Sequence, residues 1–313
     1  MATPVYLFTG FLDSGKTTLI KDTLNDPSFM EDVSRTLLVC FEQGEEEYSD
    51  AFLQEHHTCI EYIDDISTFT PEKMHELDTI YHPSQVFIEW NGTLSIPDSI
   101  ISDMPDFWPL VQILTTVDAS TFSTFMGPLR QMMYEQLRYS DTVFCNRCTE
   151  DTSGSMLRGN IKAINRRAQI FYEGNYGEAV TLKDGGLPFD INAPIIDIKD
   201  DDYGLWYMDA VENPEKYDGK EVILRGYYAQ GIPGYKQTFI LARQAMVCCA
   251  ADTSECGITV TGVKIEEMTK GNWYEVKGQL KTIPMENGGK TDVLYADRIS
   301  NYTKPQDEFV TFN

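Results

Sequence analysis

The sequence predicts two folds in tandem: an α/β domain on a mostly parallel sheet, then a small all-β, OB-like barrel. Three observations predict it. Over the first part of the chain, apolar strand-like runs alternate with amphipathic stretches of helical spacing. A glycine-containing loop ending in Lys-Thr joins the first strand candidate to the first helix candidate. From Glu221 onward the periodicity becomes mostly two, with glycine and proline separating several of the runs.

The strand candidates of the first part are 5–9, 36–41, 85–89, 110–117, 142–145 and 169–171. They carry Val, Ile, Leu and Phe on both faces, as strands covered by helices on both sides must. The helix candidates between them are 17–24, 71–80, 121–139 and 155–165. At 182–204 the composition changes to a stretch crowded with Gly, Pro and Asp, which reads as a linker. Beyond it, 221–229, 238–250, 257–262, 272–282 and 291–302 are expected to be five strands. Five short strands in so small a segment predict a barrel. The chain of 313 residues is therefore expected to divide into an α/β domain at 1–185, a linker at 186–204 and a barrel at 205–313.

Charge excludes several function classes. Asp and Glu number 49 against 25 Lys and Arg, a net charge of -24. Such a chain repels phosphate backbones and anionic membranes unless a local basic patch intervenes, and no block of Lys and Arg supplies one. Nucleic-acid binding and membrane insertion are not expected. The longest strictly apolar run, 245–251, is too short to span a bilayer. The first strand begins too near Met1 to leave room for a signal peptide. The seven cysteines show no regular framework, which reads as reduced thiols in a cytosol. The expected location is cytoplasmic.

Residues 10–17, GFLDSGKT, fit the pattern GxxxxGK[ST] and sit between a strand and a helix, the context the pattern requires. Gly10 and Gly15 let backbone N–H groups curl around phosphate oxygens. The following helix adds its N-terminal dipole. Lys16 neutralises the outer phosphates and Thr17 is a ligand for Mg²⁺. The α/β domain is thus expected to be a P-loop NTPase, with Gly10, Asp13, Ser14, Gly15, Lys16, Thr17 and Thr18 as its nucleotide-binding set.

The segment GFLDSGKTTLI resembles the opening of the CobW-like GTPases, a P-loop family associated with cobalamin synthesis and metal allocation. Three further segments agree in order: FEQGEEE at 41–47 with the family's NEFGE stretch, FIEWNG at 87–92 with its E-T-T-G element, and QLRYSD at 136–141 with its Q-L-x-x-A-D run. The resemblance covers roughly residues 1–175 and implies GTP as the nucleotide, with ATP left open, and Mg²⁺ as cofactor. Glu89, at the C-terminal end of its strand, is expected to support Mg²⁺ alongside Thr17. Glu42 is expected to join the magnesium shell or to position water, although an acidic run is also the signature of a solvated loop. Lys16, Thr17 and Glu42 are the expected catalytic group.

The departures from the family pattern are specific. Asp13 replaces a glycine and brings a carboxylate toward phosphate oxygens. The base-reading element is Asn146-Arg147-Cys148-Thr149 instead of NKxD. Thr149 cannot accept two hydrogen bonds in a carboxylate's fork, so Asn146 and Thr149 leave the base preference open. The family's GCxCC metal motif is missing. Cys59 is the only thiol in the corresponding stretch, beside His56 and His57, which leaves two readings: a Cys59/His/Glu42 metal site, or a half-buried thiol with an exposed histidine pair. Cys145 and Cys148 have ligand spacing but read as strand core and base-pocket lining.

Residues 217–302 resemble the soluble domain of a family found with membrane permeases, on YDGKEVILRGY, LARQAMVCCAAD and GNWYEVKGQL. A permease or another protein is the implied partner. Cys248 and Cys249, adjacent on a strand, point to opposite faces and cannot both ligate one ion without a bulge. This leaves two readings: one thiol in the core with the other partly exposed, or a redox site or a site for Zn²⁺ or another transition metal at Cys249, Cys256 and Asp252. The expected function is a slow Mg²⁺-dependent GTPase coupling nucleotide state to a metal-handling or partner-regulating step. A nucleotide-gated adaptor and a thiol-based metal carrier are the alternatives.

Overall fold

The computed structural model describes residues 2–44, 46–102, 104–182, 187–249, 252–263, 268–285 and 288–310, without the side chains of 98, 246–249 and 252. The chain divides into two compact units, one of residues 1–152 with 164–182 and one of residues 153–163 with 183–313.

The first unit runs β1 (Val5–Thr9), α1 (Lys16–Asn25), β2 (Thr36–Cys40), α2 (Asp50–Glu55), β3 (Thr58–Tyr62), α3 (Pro71–Tyr81), β4 (Gln85–Glu89), α4 (Asp98–Ile101), β5 (Leu110–Asp118), α5 (Phe122–Met126), α6 (Arg130–Leu137) and β6 (Thr142–Asn146). After α7 (Gly154–Ile164), counted with the second unit, β7 (Gln169–Tyr172) completes the sheet. Its order is β3-β2-β4-β1-β5-β6-β7, parallel throughout.

Alternation along the central strands feeds two cores. Val5, Leu7, Leu37, Val39, Val86 and Ile88 pack with Met74 and Leu77 of α3 and with Trp90 and Trp108. Phe8, Leu38, Cys40 and Phe87 pack on the opposite face with Ile20 and Leu24 of α1. Both faces are covered, so β2 and β4 are buried at every position. β1 lies between β4 and β5, which puts its C-terminal end, and the glycine loop after it, mid-sheet.

Two sequence expectations need correction. The stretch 121–139 is not one helix: it breaks at Gly127 (φ -80°, ψ -81°) because Pro128 disfavours helical geometry in the residue before it. Residues 58–62, read only as a remnant of a metal motif, form edge strand β3 beside β2.

The second unit contains β8 (Ile196–Asp197), α8 (Tyr203–Glu212), β9 (Glu221–Gly231), β10 (Thr238–Cys249), β11 (Asp252–Thr261), β12 (Trp273–Pro284), β13 (Lys290–Asn301) and β14 (Phe309–Val310). Five of them close into a barrel of order β9-β10-β11-β13-β12-β9, antiparallel except for the parallel β11–β13 pair. That closed five-strand order is OB-like. β8, within the stretch read as a linker, pairs in parallel with β9. Tyr203, Trp206 and Tyr207 of α8 pack with Leu224, Phe239, Leu241, Val276 and Leu294 in the barrel core. Two arginines of the barrel serve internal pairs. Arg243, fully buried, donates to Asp200 Oδ1 (2.7 Å), and Arg225 bridges Asp197 and Glu275.

Asp292 on β13 is buried and accepts from Thr282 Oγ1 at 2.7 Å. Burial pushes its carboxyl up to about 6 against the Thr282 hydrogen bond, and Asp218 adds to the rise. The folded state holds this proton more tightly than the unfolded chain, so the stability it contributes is full below the ordinary carboxylate range and is lost as pH rises through about 6. Asp292→Asn is expected to remove that loss. Thermal denaturation should show the variant gaining on wild type between about pH 4 and about pH 7. A pH-independent difference would contradict it.

Candidate functional site

The phosphate loop is held open by backbone geometry. Gly10 (φ 132°) and Gly15 (φ 99°) occupy conformations that side-chain-bearing residues rarely adopt. Lys16, the first residue of α1, is buried and donates to the carbonyls of Gly10 (2.9 Å) and Phe11 (2.8 Å). It also forms an ion pair with Glu42. Burial raises the Glu42 carboxyl, outweighing Lys16, and Glu89 and Asp13 add to the rise. The first turn of α1 carries no acidic residue, so its positive end is unopposed from within the helix. The loop therefore cradles the Lys16 ammonium, with Glu42 as its counter-ion in this structure.

A set of oxygens lies next to it. Thr17 Oγ1 donates to Glu89 Oε1 at 2.7 Å, and Tyr48 Oη donates to Glu89 Oε2 at 2.8 Å. Cys40 Sγ sits 3.5 Å from the same Oε2. Burial first, then Glu89, pushes the Tyr48 hydroxyl up, and the same two causes raise the Cys40 thiol. Both keep their protons, so the hydroxyl and thiol facing Glu89 are neutral donors. Lys16, Thr17, Thr18, Glu42 and Glu89 line one hollow with Asp13. The acidic run does more than face solvent: Glu46 accepts from Thr18 Oγ1 (2.9 Å) and Lys21 Nζ (2.8 Å), tying the loop to α1. Ser14 turns inward, its Oγ 2.6 Å from Thr116 Oγ1.

A second hollow shares Gly15, Thr18 and Arg147 with the first and is lined further by Asp22, Phe144, Asn146 and Glu173. Asn146 Nδ2 donates to the Ser14 carbonyl at 2.6 Å. Thr149 does not line this hollow; it is exposed and its N–H donates to Thr152 Oγ1 (2.8 Å). Cys148 does not line it either. It is buried, with Sγ donating to the Cys145 carbonyl at 3.2 Å.

Residues 4–172 match the CobW/HypB/UreG nucleotide-binding domain, more than half of the chain. The chain belongs to this family. Residues 186–311 match the DUF1980 C-terminal domain. Among solved structures, the chain is similar to the hydrogenase maturation factor HypB from Archaeoglobus fulgidus (18% identity, 55% of this chain and 81% of that one, TM-score 0.38). It is also similar to the mitochondrial single-stranded DNA binding protein Rim1 from S. cerevisiae (16% identity, 27% of this chain and 95% of that one, TM-score 0.19). No curated protein matches the chain at a significant level.

Within a CobW/HypB/UreG domain the departures now have places. Asp13 stands where the family pattern carries glycine, and it adopts φ 60°, a left-handed conformation costing about 1 kcal/mol for an L-residue. Its carboxylate is close enough to Glu42 to raise it. Asp13→Gly is expected to tighten nucleoside triphosphate binding by about threefold to tenfold, since one negative charge leaves the rim of the phosphate hollow. Calorimetric titration checks it, and unchanged affinity would mean that the carboxylate does not face the ligand.

Arg147, in the position of the pattern's lysine, was passed over in the sequence. It adopts φ 52° and donates to the Asp13 carbonyl (2.9 Å) and Asp118 Oδ2 (2.7 Å), bracing the loop from β5 and β6. Asp118, the last residue of β5, accepts from Ser120 N (2.8 Å) and pairs with Arg147. Tyr48 was also missed, because a tyrosine after an acidic run carries no motif.

Among the described residues no group of three or more His, Cys, Asp or Glu side chains gathers as a metal site would need. Cys59 packs half-buried against the sheet core, and Cys256 is buried in the barrel core. The Cys249 and Asp252 side chains lie outside the described residues. Also among them, no helix is long and apolar enough to cross a membrane.

Proposed function

We propose that this chain is a Mg²⁺-dependent nucleoside triphosphatase that uses GTP and turns over slowly on its own. Its nucleotide state would govern a metal-handling or partner-regulating step in the cytoplasm. The observation that carries this reading is Lys16, buried within a glycine loop at the start of α1 in a CobW/HypB/UreG domain. Lys16 and the loop amides bind the outer phosphates and favour the charge that develops on the transferred phosphoryl group. Thr17 and Glu89 are hard oxygen donors 2.7 Å apart, which suits Mg²⁺, and they would hold it together with phosphate oxygens. The ion supplies neutralisation of phosphate charge. Tyr48 orients Glu89. Glu42, the partner of Lys16 in this structure, is the group a terminal phosphate displaces, which makes it the sensor of nucleotide state. The second domain, with its resemblance to permease-associated proteins, supports a protein partner at a membrane.

Titration of the full chain with Mg²⁺ and GTP or ATP, followed by phosphate release, tests the reading. Binding with slow release is expected; absence of binding to any triphosphate overturns it. A nucleotide-gated adaptor is the second reading, favoured by the strained, acidic Asp13 in the loop. Tight binding with no phosphate release would select it.

A further inference from the structure

The second hollow lacks the carboxylate that the pattern NKxD would place after Asn146, because Thr149 is exposed and outside it. Another carboxylate is there instead. Glu173 follows β7, and its backbone is clamped to the end of β6: its N–H donates to the Cys145 carbonyl (2.8 Å) and its carbonyl accepts from Cys148 N (2.9 Å). This fixes Glu173 beside Asn146, with its side chain half-buried in the wall of the hollow. No cation pairs with it among the described residues, and burial together with Asp22 raises its carboxyl. Asn146 Oδ1 is buried without a hydrogen-bond partner once Nδ2 is committed to Ser14. The wall thus presents acceptors whose partners are missing, an arrangement that costs free energy unless a donor-rich ligand arrives.

We propose that Glu173, and not Thr149, reads the base of the bound nucleotide, and that it selects guanine. This rests on the nucleotide-binding reading above. Guanine presents two adjacent donors, N1–H and the 2-amino group, which match the two oxygens of one carboxylate. Adenine presents its 6-amino donor beside the bare N1 acceptor, which a carboxylate repels. Phe144, on the strand that carries Asn146, adds an apolar surface to the same wall. Asp22 also lines the hollow, from α1. It lacks the backbone clamp to β6 and is assigned no part in base choice.

The test uses the full chain with Mg²⁺ and GTP, ATP or xanthosine triphosphate in calorimetric titrations. Wild type should prefer GTP to ATP by about tenfold or more, the scale of one bidentate pair. Glu173→Gln should weaken GTP by about 10- to 100-fold and strengthen xanthosine triphosphate. A glutamine offers an acceptor to xanthine N1–H and a donor to its 2-carbonyl. That gain also shows the variant is folded, which loss alone would not. Thr149→Ala and Asp22→Asn should leave the preference unchanged. Glu173→Gln binding GTP as wild type does, or Thr149→Ala or Asp22→Asn abolishing the preference, overturns the assignment while the nucleotide-binding reading stands. A wild-type chain that binds no triphosphate removes both.

Discussion

Lys16→Ala should lower affinity for Mg²⁺-nucleoside triphosphate by at least about 100-fold, the scale expected when a charge-assisted contact to phosphate is lost from a desolvated loop. It should also destabilise the empty protein. In wild type the Lys16 ammonium is shared among the Gly10 carbonyl, the Phe11 carbonyl and Glu42. Without it, a carboxylate already raised by burial faces Glu89 and Asp13 with its Lys16 ion-pair partner gone. Breaking a buried pair from one side costs about 3–5 kcal/mol. Replacing both partners is milder, so Lys16→Ala with Glu42→Gln should recover much of the stability and none of the binding. Thermal denaturation and nucleotide titration of the single and double variants separate the two effects. Affinity retained by Lys16→Ala within about threefold would remove the phosphate role from this residue.

The contrast between Lys16 and its partner shows what the sequence could carry. Strand β1, the loop and α1 are contiguous, and each residue's task follows from local geometry: a strand by its apolar run, glycines at the turns, a lysine at a helix start. These were legible. The Lys16–Glu42 pair was not, because Glu42 opens a run of acids that reads equally well as a solvated loop, and only the path of the chain after β2 decides. Tyr48 and Arg147 were missed for the same reason. Each acts on a residue far away in sequence, Glu89 and Asp13 respectively; Tyr48 belongs to no motif, and the place of Arg147 in the base-reading element says nothing of its hold on the loop. In the barrel, the period of two located all five strands, yet α8 went unread. Its aromatic residues, Tyr203 and Trp206, are buried on nearly every side, so the helix has no polar stripe to announce it. Motifs that serve a ligand are visible; contacts that serve the motif are not.

Gly92→Ala should abolish nucleotide binding although Gly92 lies outside the loop and carries no functional group. A Cβ there would stand 1.9 Å from the Gly10 carbonyl oxygen, 2.5 Å from its carbon and 2.9 Å from Phe11 Cα. All three are backbone atoms, so no side chain can swing aside. The loop itself must move, and with it the two carbonyls that hold Lys16. Gly10 cannot retreat easily, because its own Cα faces the Thr116 carbonyl, 2.4 Å from where a Cβ would be. Overpacking of this kind costs about 1–3 kcal/mol, or roughly 2–10 °C in the melting temperature of a unit this size. Gly127→Ala, with nothing within 4 Å of the added carbon, is the control and should bind as wild type does. Loss of binding in Gly92→Ala with Lys16, Thr17 and Glu89 all present would show that affinity depends on where the loop carbonyls hold the lysine, and not on the lysine alone. Binding kept intact would mean that the loop tolerates displacement, and the close approach of Gly92 to it would then serve stability only.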